Sequence, residues 1–147
     1  MMQTRAEAPS DRQAIEAVIR DYFDGWFEGD EGRMARALHV DLAKRGAIGA
    51  LLEAGVIQDG DPDALDQDTR QTMVEATARG VGRTRAATAA DRALDIQIQD
   101  IYHWIASVVV RSPIYYEYVH LVRTSDGWKI VNTLWQRTIG EGGDGAG

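Results

Sequence analysis

From residue 94 onward the spacing of apolar residues changes from a helical period of about 3.6 to a strand period of 2, and no other feature constrains the fold as much. Before the change, Ile15, Val18, Ile19, Tyr22, Phe23 and Trp26 recur at i, i+3, i+4, i+7, i+8 and i+11, the apolar stripe of one long amphipathic helix. After it come "LDIQIQ", "WIASVVVR", "YYEYVHLVR" and "WKIVNTLWQR", rich in β-branched and aromatic residues. Pro113 breaks the run once, and Ser125-Asp126-Gly127 turns the third segment into the fourth. Helices first and antiparallel strands second define an α+β chain. A twisted sheet of this length can wrap around the long first helix and leave a pocket between the two layers.

Between these halves the sequence is less regular. Ser10 with Gln13 offers a capping box for the first helix, and Gly29 ends it as a C′ residue. Asp30 then caps a second, short helix that turns Met34 and Leu38 inward. A short strand is expected near 40–48, followed by an irregular stretch and the loop "QDGDPDALDQD". Asp66 or Asp68 is expected to cap a third helix over about 68–80, with Met73, Ala76 and Thr77 on one face. The stretch "ARGVGRTRAATAADR" reads as a long exit loop. Residues 1–9 are expected to fray and 138–147, with five glycines in ten residues, to be disordered. Residues 10–137 then form a single domain.

Charge and composition narrow the partners. A net charge of −7 and a pI near 4.9 repel phosphate backbones, so nucleic acid is not an expected partner. No apolar run reaches the ~20 residues that span a bilayer, and the N-terminus has no apolar signal region, so a cytoplasmic location without membrane association is expected. The absence of cysteine removes disulfides and thiolate chemistry. Of 16 cationic residues, 14 are Arg and 2 are Lys.

Several motifs fail on inspection, and no metal or cofactor is expected. Asp59, Asp61 and Asp63 have the spacing of a calcium loop, but Ala64 and Arg70 stand where Gly and a bidentate Glu are needed. Gly80-Val81-Gly82 follows a helix and lacks the third Gly of a dinucleotide fingerprint. His39 with Asp41 is too small a set for a metal site. Arg79, Arg83, Arg85 and Arg92 either complement a helix C-terminus or form a rim for an anion.

What remains is a set of aromatic and polar residues on elements that enclose a cavity. Tyr22 and Trp26 lie on the first helix, where core packing and ligand contact both remain open. Met73 and Thr77 lie on the third. Tyr118 and His120 are two apart on a strand and so share a face, where His120 is open to a core or a ligand-facing role, while Glu117 takes the opposite, outer face unless a bulge re-aims it. Asn132 shares its parity with Trp128 and Ile130, and a buried amide costs a few kcal/mol unless it bonds a side chain, water or ligand. Its expected place is the concave face, across from Tyr118 and His120, with Trp135 on the other side.

"AIEAVIRDYFDGWFEGDEGRMARALHVDLAKRG" and "YYEYVHLVRTSDGWKIVNTLWQ" resemble the opening and the closing hairpin of the nuclear transport factor 2-like superfamily. With the "TRQTMVEAT" helix, they resemble its SnoaL-like and putative lumazine-binding branch over most of 10–137. The resemblance implies a cone of curved antiparallel sheet closed by three helices, a pocket between helices and concave face, and homodimers through the outer sheet face. Val109, Val119, Val131 and Trp135 are the residues expected on that outer face. The family motif covers His39, Arg45, Tyr118, His120 and Asn132, with Glu117 where the branch often has Asp.

Two functions follow as expectations. One is a dimeric small-molecule-binding protein. The other is a proton-transfer enzyme of isomerase, dehydratase or polyketide-cyclase type, with His120 as base and Tyr118, Tyr22 or Asn132 as donors to an enolate oxygen.

Overall fold

A computed structural model describes residues 7–139, so residues 1–6 of the segment expected to fray, 1–9, and residues 140–147 of the glycine-rich tail lie outside the described residues, while 7–9 belong to a helix. Helix α1 (Glu7–Glu28) begins before Ser10, which therefore sits inside the helix and not at its cap. Of the stripe, Ile15, Ile19, Tyr22 and Phe23 are buried, Val18 and Trp26 are half-buried against the core, and Phe27, outside the expected set, is fully buried. Gly29 adopts a positive φ of 73° and ends the helix. Asp30 caps α2 (Glu31–Ala37) by accepting from Arg33 N, and the Arg33 side chain returns to Asp21 of α1 at 3.0 Å. These contacts hold α2 against α1.

Strand β1 (Leu38–Ala47) starts at Leu38, which is buried as the strand's first residue, not as the end of α2. Two short elements were not expected: α3 (Ile48–Glu53) and β2 (Leu65–Asp68). Helix α4 (Arg70–Ala78) is capped by Thr69, not by Asp66 or Asp68, and a further turn of helix, α5 (Val81–Arg85), occupies the expected exit loop. Then follow β3 (Asp95–Tyr102), β4 (Ile105–Arg111), β5 (Tyr115–Thr124) and β6 (Gly127–Arg137).

The six strands form one curved open sheet in the order β2-β1-β6-β5-β4-β3. Neighbours are antiparallel except β1 and β6, which run parallel because the chain crosses the whole sheet before β6 returns beside β1. Three irregularities bend the sheet. One lies in β1 between Leu38 and Ala43, one in β3 between Ile98 and Asp100, and one in β6, where His120 pairs with Asn132 but Leu121 pairs with Ile130. Val131 is thus an extra residue, a β-bulge, and it reverses the facing of everything after it.

The core fills the concave side. Val108, Val110, Val119, Leu121 and Ile130 meet Ile15, Ile19 and Phe27 of α1, each side chain contributing about 1.5–3 kcal/mol of hydrophobic stabilisation. Among the described residues, no helix is long and apolar enough to cross a membrane.

Candidate functional site

At one end of the core the layers part to leave a cavity of about 280 Å³. Tyr22, Phe23 and Trp26 of α1 form one wall, and Met73 and Ala76 of α4 another. The sheet supplies Lys44 from β1, Tyr115 and Glu117 from β5, and Trp135 from β6. Asp66 and Asp68 of β2, with Arg79, Val81 and Arg85, complete the lining.

Three polar side chains converge there. The Tyr22 hydroxyl donates to Glu117 Oε2 at 2.5 Å and accepts from Lys44 Nζ at 2.5 Å. Lys44 Nζ also donates to Glu117 Oε2 at 3.1 Å. Lys44 is 7% exposed and Glu117 2%, so both charges are withdrawn from water, and each compensates the other. The ammonium also lies 5.3 Å from the Tyr22 ring centroid and 5.2 Å from that of Trp135, within cation–π range. Burial, together with the Glu117 charge and hydrogen bond, holds the Tyr22 phenol well above its ordinary pKa. Tyr22 therefore stays a neutral donor across the physiological range.

The aromatic walls are fixed by close packing. Trp26 Nε1 donates to the Tyr115 hydroxyl at 2.9 Å. A Cβ built on Gly82 would lie 2.4 Å from the Trp26 carbonyl oxygen, so only glycine lets α5 approach α1 this closely. The rejected dinucleotide glycine thus has a packing role. Trp135 rests on Gly46 in the same way. Its indole N–H is buried and has no hydrogen-bond partner among the described residues, a donor held beside the cavity. At the margin, burial first and the neighbouring Asp68 second push the Asp66 carboxyl upward, with Lys44 and Arg85 partly opposing.

The structure divides the expected site residues into two groups. Tyr22, Trp26 and Met73 line the cavity. Thr77 is fully buried beside it, its hydroxyl spent on Met73 O at 2.7 Å. His39, Arg45, Tyr118, His120 and Asn132 lie away from it. Arg45 is exposed, and it alternates with the inward Lys44 on β1. His39 Nδ1 accepts from Asp41 N, and His39 shares a convex-face groove with His120. Tyr118 is 50% exposed on the same face. Asn132 finds its partner in His120, with Nδ2 and Nδ1 3.2 Å apart.

Two physical reasons account for the expected faces being wrong. On β5 the inward set is Tyr115, Glu117, Val119 and Leu121. The expectation that Tyr118 and His120 face inward puts this set outside, but the Lys44 and Tyr22 bonds make the Glu117 carboxylate tolerable inside. On β6 the Val131 bulge keeps Trp128 and Ile130 inward but turns Asn132 out and Thr133 and Trp135 in. Of the residues expected on the outer face, Val119 and Trp135 are therefore in the core, whereas Val131 lines the convex groove. Val109, buried but outside the core cluster, is consistent with that face. Lys44 is a site residue outside the expected set, and two signals in the sequence point to it: the scarcity of Lys and its shared parity with Leu42.

Solved structures share this architecture. An NTF-2 like protein of unknown function from Silicibacter pomeroyi superposes with a TM-score of 0.61 at 14% identity, covering 92% of this chain and 100% of its own. One from Shewanella baltica, also of unknown function, gives 0.61 at 13% identity, over 95% and 100%. An NTF2-like protein with a cystatin-like fold from Novosphingobium aromaticivorans gives 0.58 at 18% identity, over 97% and 88%. The sheet wrapped on α1, with its lined cavity, is thus a nuclear transport factor 2-like, cystatin-like fold. Within that class the chain belongs to the family described as "Putative lumazine-binding", which matches residues 10–136. A comparison with curated proteins finds none that matches.

Proposed function

We propose that the chain binds a small, flat, uncharged molecule in the cavity between α1, α4 and the concave sheet face. The convergence of the Tyr22–Lys44–Glu117 cluster with aromatic walls carries this reading. Apolar walls with a few convergent polar groups are the general form of a ligand site. Lys44 has three N–H donors, of which Tyr22 and Glu117 take two, leaving one for a ligand acceptor. The cluster is already balanced in charge. An anionic ligand would sit against Glu117, and like charges 4 Å apart repel by about 4 kcal/mol at an effective dielectric of about 20. A neutral carbonyl acceptor fits better than a carboxylate.

A lumazine, a fused heteroaromatic with carbonyl oxygens, has this chemistry and is the ligand the family description suggests. Titration with lumazine is expected to quench tryptophan fluorescence saturably, with a Kd in the micromolar range, about −8 kcal/mol. Trp26→Phe and Trp135→Phe should each remove part of the quench. A linear, non-saturating response to lumazine and to uncharged bicyclic analogues would overturn the reading. The alternative proton-transfer enzyme built on His120 and Asn132 loses its geometric support, since both residues lie on the convex face.

The homodimer is proposed through that convex face, where Ile105, Tyr118 and Leu134 are exposed. Exposed apolar area of this kind marks association surfaces. Light scattering at tens of micromolar is expected to give twice the monomer mass, and Tyr118→Glu with Leu134→Glu the monomer. A monomeric parent chain would remove the proposal.

A further inference from the structure

We propose that Lys44 captures an uncharged aldehyde or ketone covalently, as an imine formed inside the cavity. The inference rests on the ligand-binding reading and adds a bond-forming step to it. The chain carries its positive charge on Arg at 14 positions and on Lys at only 2. One of the two, Lys129, sits at the surface with Nζ bonded to Arg36 O. The other lies in the cavity, where Arg would have served an ion pair at least as well. An amine differs from a guanidinium in that it can lose a proton and become a nucleophile.

The surroundings supply what imine formation needs. Glu117 Oε2, 3.1 Å from Nζ, is placed to take a proton from it. The Tyr22 hydroxyl touches both groups and can pass a proton between them. The rings of Tyr22 and Trp135 flank Nζ and favour a cationic nitrogen there, which suits a protonated imine as well as an ammonium.

The step balances without a co-reactant. The ammonium gives one proton to Glu117, and the freed lone pair attacks the carbonyl carbon as the C=O π pair moves to oxygen. A second nitrogen proton passes through Tyr22 to that oxygen, giving a carbinolamine. The proton on Glu117 then goes to the hydroxyl group, the C–O bond breaks, and water leaves. The nitrogen lone pair forms the C=N bond, leaving a protonated imine with Glu117 again a carboxylate.

The test uses benzaldehyde as probe, sodium cyanoborohydride to reduce the imine to a stable benzylamine, and peptide mass mapping. The expected result is benzylation of Lys44 ahead of Lys129 and the amino terminus, suppressed by excess benzyl alcohol, which fills the cavity but has no electrophilic carbon. Glu117→Gln, which preserves an acceptor for Tyr22, should slow labelling of Lys44 on the order of a hundredfold and leave Lys129 unchanged. Labelling confined to Lys129 and the amino terminus overturns the proposal, and so does labelling of Lys44 that Glu117→Gln leaves at the original rate. Fluorescence titration with benzyl alcohol separates the two readings. Saturable quenching without a Lys44 adduct removes only the imine, whereas loss of both removes the ligand site beneath it.

Discussion

Lys44→Met is expected to lower the free energy of unfolding by about 3–5 kcal/mol, the range for removing one partner of a buried ion pair. The methionine fills nearly the same volume, so the loss is electrostatic. Glu117, 2% exposed, would keep a buried carboxylate with only the Tyr22 hydroxyl as donor. Lys44→Met combined with Glu117→Gln should recover more than half of the loss. The amide carries no charge, still accepts from Tyr22, and needs no counter-ion. Urea denaturation of the parent chain, the single variant and the double variant measures both steps. A single variant within about 1 kcal/mol of the parent would mean that water reaches the cluster and screens it as at a surface.

The same pair explains what the sequence made legible and what it did not. Elements defined by their own period could be read directly: the α1 stripe from Ile15 to Trp26, and the four late strands. Elements defined by tertiary context could not. Strand β2 exists because Leu65–Asp68 pairs with Lys44–Ala47, and its own composition reads as loop. The family opening and closing hairpin gave the architecture, and with it a pocket between helices and sheet. Tyr22, Trp26 and Met73 lie there because helix parity survives unchanged along α1 and α4. On the strands, Glu117 and Trp135 face inward and Tyr118, His120 and Asn132 outward, the reverse of what strand period alone implies. A carboxylate inside a sheet is unfavourable until its partner is known, and Lys44 lies 73 residues from Glu117 in sequence. No local pattern joins them.

Deleting Leu134 should have a still larger effect. Strand facing repeats every two residues, so removing one residue from a regular stretch turns all later side chains to the opposite side. Leu134 lies between the inward Thr133 and Trp135, and without it Trp135 would take the convex face. That would expel Trp135 from the cavity wall, taking with it the ring beside Lys44. Loss of a buried tryptophan alone is worth about 3–5 kcal/mol, and the reversal continues through Gln136 and Arg137. A strand that instead straightened at Val131 would keep Trp135 inside, but it would turn Asn132 inward, away from its contact with His120, where an amide without partners costs about 1–3 kcal/mol. Either outcome takes a large part of the ~5–15 kcal/mol that stabilises a whole domain. The deletion is therefore expected to abolish the cooperative thermal transition followed by circular dichroism. Deleting Val131 is the control. Val131 is the residue in excess, so its removal leaves Ile130 in, Asn132 out, and Thr133 and Trp135 in, and this variant should still melt cooperatively. If the Leu134 deletion also melts near the parent temperature, the facing of β6 after the bulge does not hold Trp135 in the cavity wall. Lys44 and Glu117 would then owe their aromatic neighbour to something other than strand parity.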